Sequence, residues 1–206
     1  MLYQMLQRLH GSKSFDDAVN RVLNDAVALH GAEYGNIQLC LGTDLVMVSV
    51  LGLPFEFIDR FGHVRPGDGS VSGRVLNVRK SVAISDVQDD VEYAPFLDAA
   101  ELAGYRGIQC TPMIASDGEM HGLISTLFVN PHEPTRIEME TLQTYAQEAA
   151  DYFECLLHGR QIDEEAERMR AQLLGLAPHP RAVDITNRAH RASAARQKPV
   201  QPHCVS

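Results

Sequence analysis

The sequence predicts an α+β fold, in which helices pack on the faces of an antiparallel sheet of about five strands. Two pairs of apolar, β-branched segments favour strands, and turn residues join each pair. Residues 34–41 and 45–51 flank the turn Gly42-Thr43-Asp44, and residues 108–115 and 120–129 flank Ser116-Asp117-Gly118. Helical periodicity precedes the first pair and follows the second. The second pair predicts a buried hairpin with small polar interruptions, which either are satisfied locally or face a bound molecule.

Two helices are predicted before the first strand. Apolar residues recur at helical spacing from Leu2 to Leu9, which indicates a short amphipathic helix. Ser14 suits the N-cap of the second helix, because two aspartates follow it in the first turn, where the helix dipole favours acids. This second helix is expected to end at His30, directly before a glycine.

Short elements are predicted between the two hairpins. Pro54 suits the first turn of a helix, where its missing N–H group costs little. Glycines in residues 65–72 indicate a loop, and residues 86–95 read as a second, acidic loop. The regular elements expected here are a helix through residue 61, a short helix at 73–78, a strand at 81–85 and a helix at 96–105.

A long helix is predicted after the second hairpin. Thr135 and Glu138 have the spacing of a capping box, and the helix is expected to continue to Leu157. Its apolar stripe favours a face packed on the sheet, although a short coiled-coil-like seam is the alternative; the stripe consists of Leu142, Tyr145, Ala149, Tyr152 and Leu156. A further helix is expected at 164–174, and residues beyond Pro178 are expected to be disordered because they are poor in apolar side chains.

Composition and charge narrow the class of protein. The 206 residues carry a net charge of −9, with seven bases and one acid beyond residue 167, so the rest of the chain is strongly acidic. An acidic body argues against nucleic acid binding by the domain itself, which leaves only the basic tail as a segment that could contact nucleic acid. No apolar run is long enough for a membrane span, and no signal peptide is evident. The four cysteines lack metal spacing and suit a reducing compartment, so the cytoplasm is the expected location.

With these elements placed, the chain resembles a GAF domain of the type found in bacterial sensor histidine kinases and related signalling proteins. The motifs that carry the resemblance are AVALHGAEYGNIQL, DGSVSGRVL, AISDV and, most specifically, the hairpin and exit helix that begin GIQCTPMIASDGEMHG. The resemblance implies a sheet of five to six strands with helices on both faces, a ligand cavity under the connecting helices, and N- and C-terminal helices that pack together and dimerise. The expected divisions are an N-terminal helix (1–13), a sensor domain (14–158), a helical extension (159–177) and a basic tail (178–206).

The residues argue against the specialised GAF classes. The N-K-x-x-F-x-x-x-D-E signature of cyclic-nucleotide phosphodiesterases is absent, and no cysteine precedes a histidine as in bilin-binding members. GAF-type free methionine-sulfoxide reductases use cysteines in the mid-chain loops, whereas residues 60–105 contain none. The histidines have no metal spacing. We therefore expect no catalytic residue and no metal ligand, and the sequence does not name a cofactor.

The candidate ligand-binding residues lie in the connecting segment and on the second hairpin: Asp86, Tyr93, Phe96, Tyr105, Gln109, Thr111 and Ser125. Asp86 follows a strand, where a carboxylate binds a ligand or caps the loop. By the resemblance, the three aromatic residues flank the helix that roofs the cavity, with plain core packing as the alternative. Gln109 and Thr111 share one side of their strand, which faces either the cavity or outward, and Ser125 on the partner strand has the same two possible orientations. Cys110 on the same hairpin is expected to be a small buried side chain.

These observations predict a non-enzymatic domain that senses a small molecule in bacterial signal transduction, as in two-component systems. We expect a homodimer that passes its state through its terminal helices to a signalling protein in trans. Two alternatives remain open: a ligand-free dimerisation or adaptor module, and a small thiol-dependent reductase on the same fold.

Overall fold

A computed structural model describes residues 1–157 and 161–175 of the chain. One six-stranded sheet, with strand order β3-β2-β1-β6-β5-β4, lies between two groups of helices. Every strand pairing is antiparallel. The elements are, in chain order, α1 (Leu2–His10), α2 (Phe15–His30), β1 (Tyr34–Leu41), β2 (Asp44–Leu51), α3 (Phe55–Phe61), β3 (His63–Val64), α4 (Val71–Val78), β4 (Val82–Ile84), a 3₁₀ helix (Val91–Phe96), α5 (Leu97–Ala103), β5 (Gly107–Ile114), β6 (Met120–Phe128), α6 (Arg136–Leu157) and α7 (Ile162–Leu173).

The predicted hairpins form the centre of the sheet. The β5–β6 hairpin pairs Gly107 with Phe128, and β6 then pairs with β1 of the first hairpin. Two elements differ from the sequence prediction. The two-residue strand β3 extends the sheet beside β2, and a 3₁₀ helix begins within the predicted acidic loop, where the Asp90 carboxylate accepts a hydrogen bond from the Tyr93 N–H at 2.8 Å.

The terminal helices cover one face of the sheet. Helices α1, α2, α6 and α7 share an apolar cluster with residues of β1, β2, β5 and β6. Leu142, Tyr145 and Ala149 of the α6 stripe are fully buried, so the stripe packs inside this chain, and the coiled-coil seam is not needed to explain it. The Tyr145 hydroxyl donates to Asp25 on α2 at 2.9 Å, and Asp25 also pairs with Arg8 on α1.

The connecting segment covers the opposite face. Helices α3, α4 and α5 and the 3₁₀ helix contribute to a second apolar cluster with Leu45, Met47, Ile108, Cys110 and Leu123 of the sheet. We call α3, the 3₁₀ helix and α5 the roof. The sheet is therefore buried on both faces, each under its own set of helices.

Local signals in the sequence fix several helix ends. Ser14 accepts a hydrogen bond from the Asp17 N–H, and Thr135 and Glu138 form the reciprocal capping box that starts α6. Gly31 ends α2 in the left-handed conformation, with φ of +60°.

The basic tail predicted from residue 178 lies outside the described residues. Across the described ranges, no helix is long and apolar enough to cross a membrane.

Candidate functional site

A small cavity lies between the sheet and the roof. Its volume is about 20 Å³, enough for about one water molecule. The lining combines apolar and uncharged polar side chains. The apolar ones are Met47, Phe57, Phe61, Val71 and Ile108. The polar ones are Asn36, Gln38, Ser70, Ser72, Tyr93, Tyr105 and Ser125. No charged side chain of the described ranges is part of this lining. The site can therefore offer hydrogen bonds but no counter-charge.

Strand β1 provides the polar floor of the cavity. The Gln38 amide is bonded through both of its polar atoms, because it donates to the Phe61 carbonyl at 2.8 Å and accepts from the Ser72 hydroxyl at 2.7 Å. This pair of bonds ties the floor to α3 and α4. Asn36 is 3% exposed, and within residues 1–157 and 161–175 its Oδ1 atom has no hydrogen-bond partner. Since buried polar atoms are nearly always paired, Asn36 Oδ1 is an acceptor left open to a donor in the cavity.

Tyr93 of the roof and Tyr105, two residues after the end of α5, close the cavity from above. The hydroxyl groups of Tyr93 and Tyr105 hydrogen-bond to each other, and both residues are almost fully buried. Burial raises the pKa of Tyr93 to about 12 and raises that of Tyr105 further, so both hydroxyls stay protonated. Phe96 packs against the rings of Tyr93 and Phe61, each at 5.6 Å between centroids.

An ion pair fastens the roof to α4. Arg74 on α4 donates two hydrogen bonds to the Asp90 carboxylate, at 2.9 and 3.0 Å, and lies 3.3 Å from Glu92. The bond from Arg74 holds the pKa of Asp90 below its usual value. Because Asp90 also caps the 3₁₀ helix that carries Tyr93, the position of a cavity-lining tyrosine depends on this pair.

The structure brings three of the seven predicted residues to the cavity wall: Tyr93, Tyr105 and Ser125. Phe96 packs behind Tyr93 as part of the roof. Asp86 is not part of the cavity wall. Its carboxylate pairs with Arg106 and accepts a hydrogen bond from the Gln88 N–H. Asp86 thus performs the loop-capping role that the sequence left open.

Gln109 and Thr111 face away from the cavity. They alternate along β5 with Ile108 and Cys110, which belong to the roof-side cluster, and so point toward the terminal helices. Gln109 donates to Thr111 at 3.1 Å, and both side chains are buried. Of the two orientations that the sequence allowed, neither applies: these residues face the covered, opposite side of the sheet.

The sequence interpretation missed Asn36, Gln38, Ser70 and Ser72. Asn36 and Gln38 alternate with apolar residues on β1 in the same way as the polar residues of β5, and this pattern was the available signal. Asn36 lies directly opposite Ser125 in the β1–β6 pairing, so the two reach the cavity as neighbours.

Two cysteines of the sheet, Cys110 and the half-buried Cys40, have raised thiol pKa values. Cys110 is fully buried on β5, with its sulfur 3.1 Å from the Ser125 hydroxyl, and burial raises its pKa to about 11. Burial likewise raises the pKa of Cys40 to about 11. Neither is a thiolate at neutral pH, and the thiolate is the reactive form. Residues 1–157 and 161–175 contain no cluster of histidine, cysteine and acidic side chains that could hold a metal ion.

Comparison with known proteins identifies the fold. Residues 12–154 match the family model described as a GAF domain. The GAF domain of a phosphoenolpyruvate-protein phosphotransferase from Coxiella burnetii is 19% identical, with a TM-score of 0.64 over 77% of this chain and 94% of that one. The chromophore-binding domain of a bacteriophytochrome from R. palustris is 12% identical, with a TM-score of 0.59 over 77% of this chain and 62% of that one.

A third structure is that of an enzyme. Free methionine-R-sulfoxide reductase from Neisseria meningitidis, in complex with its substrate, is 17% identical, with a TM-score of 0.58 over 80% of this chain and 89% of that one. A search of the curated proteins found no match. These identities establish a shared fold alone. Since the family model matches more than half of the chain, the protein belongs to the GAF domain family.

Proposed function

We propose that this GAF domain is a non-enzymatic regulatory module that binds a small uncharged molecule between the sheet and the roof. The observation that carries the proposal is Asn36 Oδ1, which has no hydrogen-bond partner among the described residues and is buried in a cavity whose other polar groups are uncharged. An acceptor in such a place favours a ligand that donates a hydrogen bond.

Ligand entry requires the roof to move, because the cavity holds about one water molecule as it stands. The roof is held by a few identifiable contacts, namely the Arg74–Asp90 pair, the Gln38 bonds and the hydrogen bond between Tyr93 and Tyr105. A ligand that binds the open arrangement more tightly would shift the population toward it. We propose that the chain acts as a homodimer in the cytoplasm and that its terminal helices pass this shift to a signalling protein in trans.

Native mass spectrometry of the full chain purified from its own host tests this proposal. We expect a retained small molecule and a mass corresponding to two chains. Ser125→Val should reduce retention, because it replaces a polar group of the cavity wall. Thr111→Val is the matched control, since it makes a similar change on the opposite face of the sheet and should leave retention intact. The absence of any retained molecule from the wild-type chain, or equal retention in both variants, would contradict the proposal.

The small volume of the cavity favours a second candidate, a ligand-free adaptor that only dimerises. This alternative predicts a dimer without an adduct in the same measurement. A strictly monomeric chain would contradict both the adaptor and the dimeric sensor.

The fold of the Neisseria reductase motivates a third candidate, a thiol-dependent reductase. Cys110 reaches the cavity wall through its contact with Ser125, but its buried, protonated thiol is poorly suited to attack. We expect no turnover of free methionine-R-sulfoxide with dithiothreitol as the reductant. Turnover that Cys110→Ala abolishes would replace the sensor with the reductase.

A further inference from the structure

The outer side of the roof carries an uncovered surface on two neighbouring helices. Helices α3 and α5 run antiparallel, because Phe57 contacts Tyr105 beyond the end of α5, whereas Phe61 contacts Phe96 before its start. The first residues of α3 therefore lie beside the last residues of α5. Phe55 and Leu102 occupy these positions and are 64% and 63% exposed. Exposed apolar side chains on adjacent elements are a common feature of interaction sites.

Acidic side chains lie next to these two apolar residues, or one turn away from them, along the two helices. Glu56, Asp59, Asp98 and Glu101 are all exposed on the same helix pair. Within the described part of the chain, no ion pair joins any of these four carboxylates to a base. We call these six residues the roof surface.

Among the described residues, the nearby base Arg60 forms no ion pair with the roof surface. Its guanidinium donates to the Pro95 carbonyl at 3.3 Å and lies over the Phe96 ring at 5.6 Å. A partner for the roof surface should therefore be basic and partly apolar.

The same chain contains a segment of this composition. Residues 178–206 include a single acid, Asp184, against five bases, Arg181, Arg188, Arg191, Arg196 and Lys198. Val183, Ile185 and Val200 lie among them. This combination of positive charge and scattered apolar side chains is complementary to the roof surface.

The end of α7 places this segment within reach. Although α7 begins in the cluster of the terminal helices, Leu173 and Leu174 at its end pack against the roof-side cluster, so the described chain ends beside that cluster. A chain of 29 residues can span up to about 100 Å when extended, which exceeds any distance across a domain of this size. Attachment to the same chain also gives the segment a local concentration of about millimolar.

We propose that residues 178–206 dock on the roof surface of their own chain. Arginines pair with the four carboxylates, and apolar side chains of the segment cover Phe55 and Leu102. Each exposed ion pair is weak, so docking is reversible and is weakened by salt. The proposal does not depend on a ligand in the cavity, because it concerns the outer side of the roof.

A spin label on Cys204 tests the docking in the full chain. Cys155→Ser removes an exposed thiol, while Cys110 is buried and Cys40 is half-buried. A nitroxide on Cys204 should reduce the amide signals of the roof surface by more than half in the ¹⁵N-labelled protein. The amides of Tyr3 and Ile137, exposed apolar residues on α1 and α6, should change little. Broadening spread evenly over the whole protein surface, or no broadening at all, would overturn the proposal. A Cys204→Ser chain treated with the same label measures the background from Cys40.

Charge reversal separates docking from chance proximity. The triple substitution Arg188→Glu, Arg191→Glu and Arg196→Glu in the segment should remove the broadening. Combining it with Glu56→Arg, Asp59→Arg and Glu101→Arg should restore the broadening. Failure of the first change to reduce the effect would contradict the electrostatic basis.

A mixed sample distinguishes docking within one chain from docking between two. Spin-labelled chain without ¹⁵N is mixed with ¹⁵N-labelled chain without the spin label. We expect no broadening in this mixture. Broadening of the roof surface here would mean that the segment reaches a second copy, which would overturn docking in cis.

Discussion

Breaking the ion pair between α4 and the roof should loosen the roof more than it destabilises the whole domain. The perturbation is Arg74→Gln, which removes both hydrogen bonds to Asp90. The side chains of Arg74 and Asp90 are 17% and 22% exposed, so the pair lies between the fully exposed and fully buried cases. Exposed pairs contribute about 0–1 kcal/mol, and breaking buried ones costs about 3–5 kcal/mol. We therefore expect the free energy of unfolding to fall by about 1–2 kcal/mol, which corresponds to a decrease in Tm of about 3–6 °C for a domain of this size.

Two assays separate the local and the global effect. Chemical denaturation gives the free energy of unfolding, and hydrogen exchange follows the Tyr93 amide, which is bonded to the Asp90 carboxylate. We expect exchange of this amide to accelerate by more than the global loss of stability explains. Arg136→Gln is the matched control, because the Arg136–Glu140 pair is 83% and 62% exposed and should contribute little.

The pH dependence gives an independent check. The folded-state pKa of Asp90 lies below its ordinary value of 3.8, chiefly because of the bond from Arg74. The stabilisation by the pair is thus complete above about pH 4 and is lost as the pH falls through the lowered pKa. Wild type and Arg74→Gln should differ at neutral pH and converge in strong acid. Equal stabilities at pH 7, or a difference that acid leaves unchanged, would refute this account of the roof.

Three further changes have clear expected outcomes. Gln38→Leu should lower the free energy of unfolding in urea by about 1–3 kcal/mol, since it leaves the buried Phe61 carbonyl without its donor, and a loss below 0.5 kcal/mol would contradict the assigned bond. Gly122→Ala should destabilise strongly in the same assay, because the new Cβ would collide with the Gln38 carbonyl and lie 3.0 Å from Leu39 Cα. Gly42→Ala is the control: its Cβ meets no described atom within 4 Å, so it should show only the strain of its φ of +63°. Burial lowers the pKa of His30 below its ordinary 6.5 despite the opposing effect of Glu138. The free energy of unfolding should therefore decrease as the pH falls below about 6.5, and His30→Gln should flatten that part of the pH profile.

Local patterns predicted most of the fold. The β1–β2 and β5–β6 hairpins are strongly apolar segments around short turns, and both were confirmed. Strand β3 was missed because two residues are too few to show a period. The 3₁₀ helix was missed because Pro95 and several acids argued for a loop, although Asp90 at its start was a usable N-cap signal.

The site was less predictable, because both faces of the sheet are buried. Alternation along β5 separates Gln109 and Thr111 from Ile108 and Cys110, but it does not say which set faces the roof. A sheet with one solvent-facing side would have settled the choice by polarity. Asn36 escaped notice because its neighbour Ser125 belongs to a distant strand, and their pairing is not encoded in any local window.

The pairing of β1 with β6 has a consequence for how the protein folds. This ladder joins Tyr34 to Leu127, so its two strands are separated by most of the domain. Each hairpin can form from nearby residues, whereas the ladder requires the closure of a very long loop. We therefore expect the two hairpins to form early and to join in a slow step, and Asn36 meets Ser125 only when that step is complete.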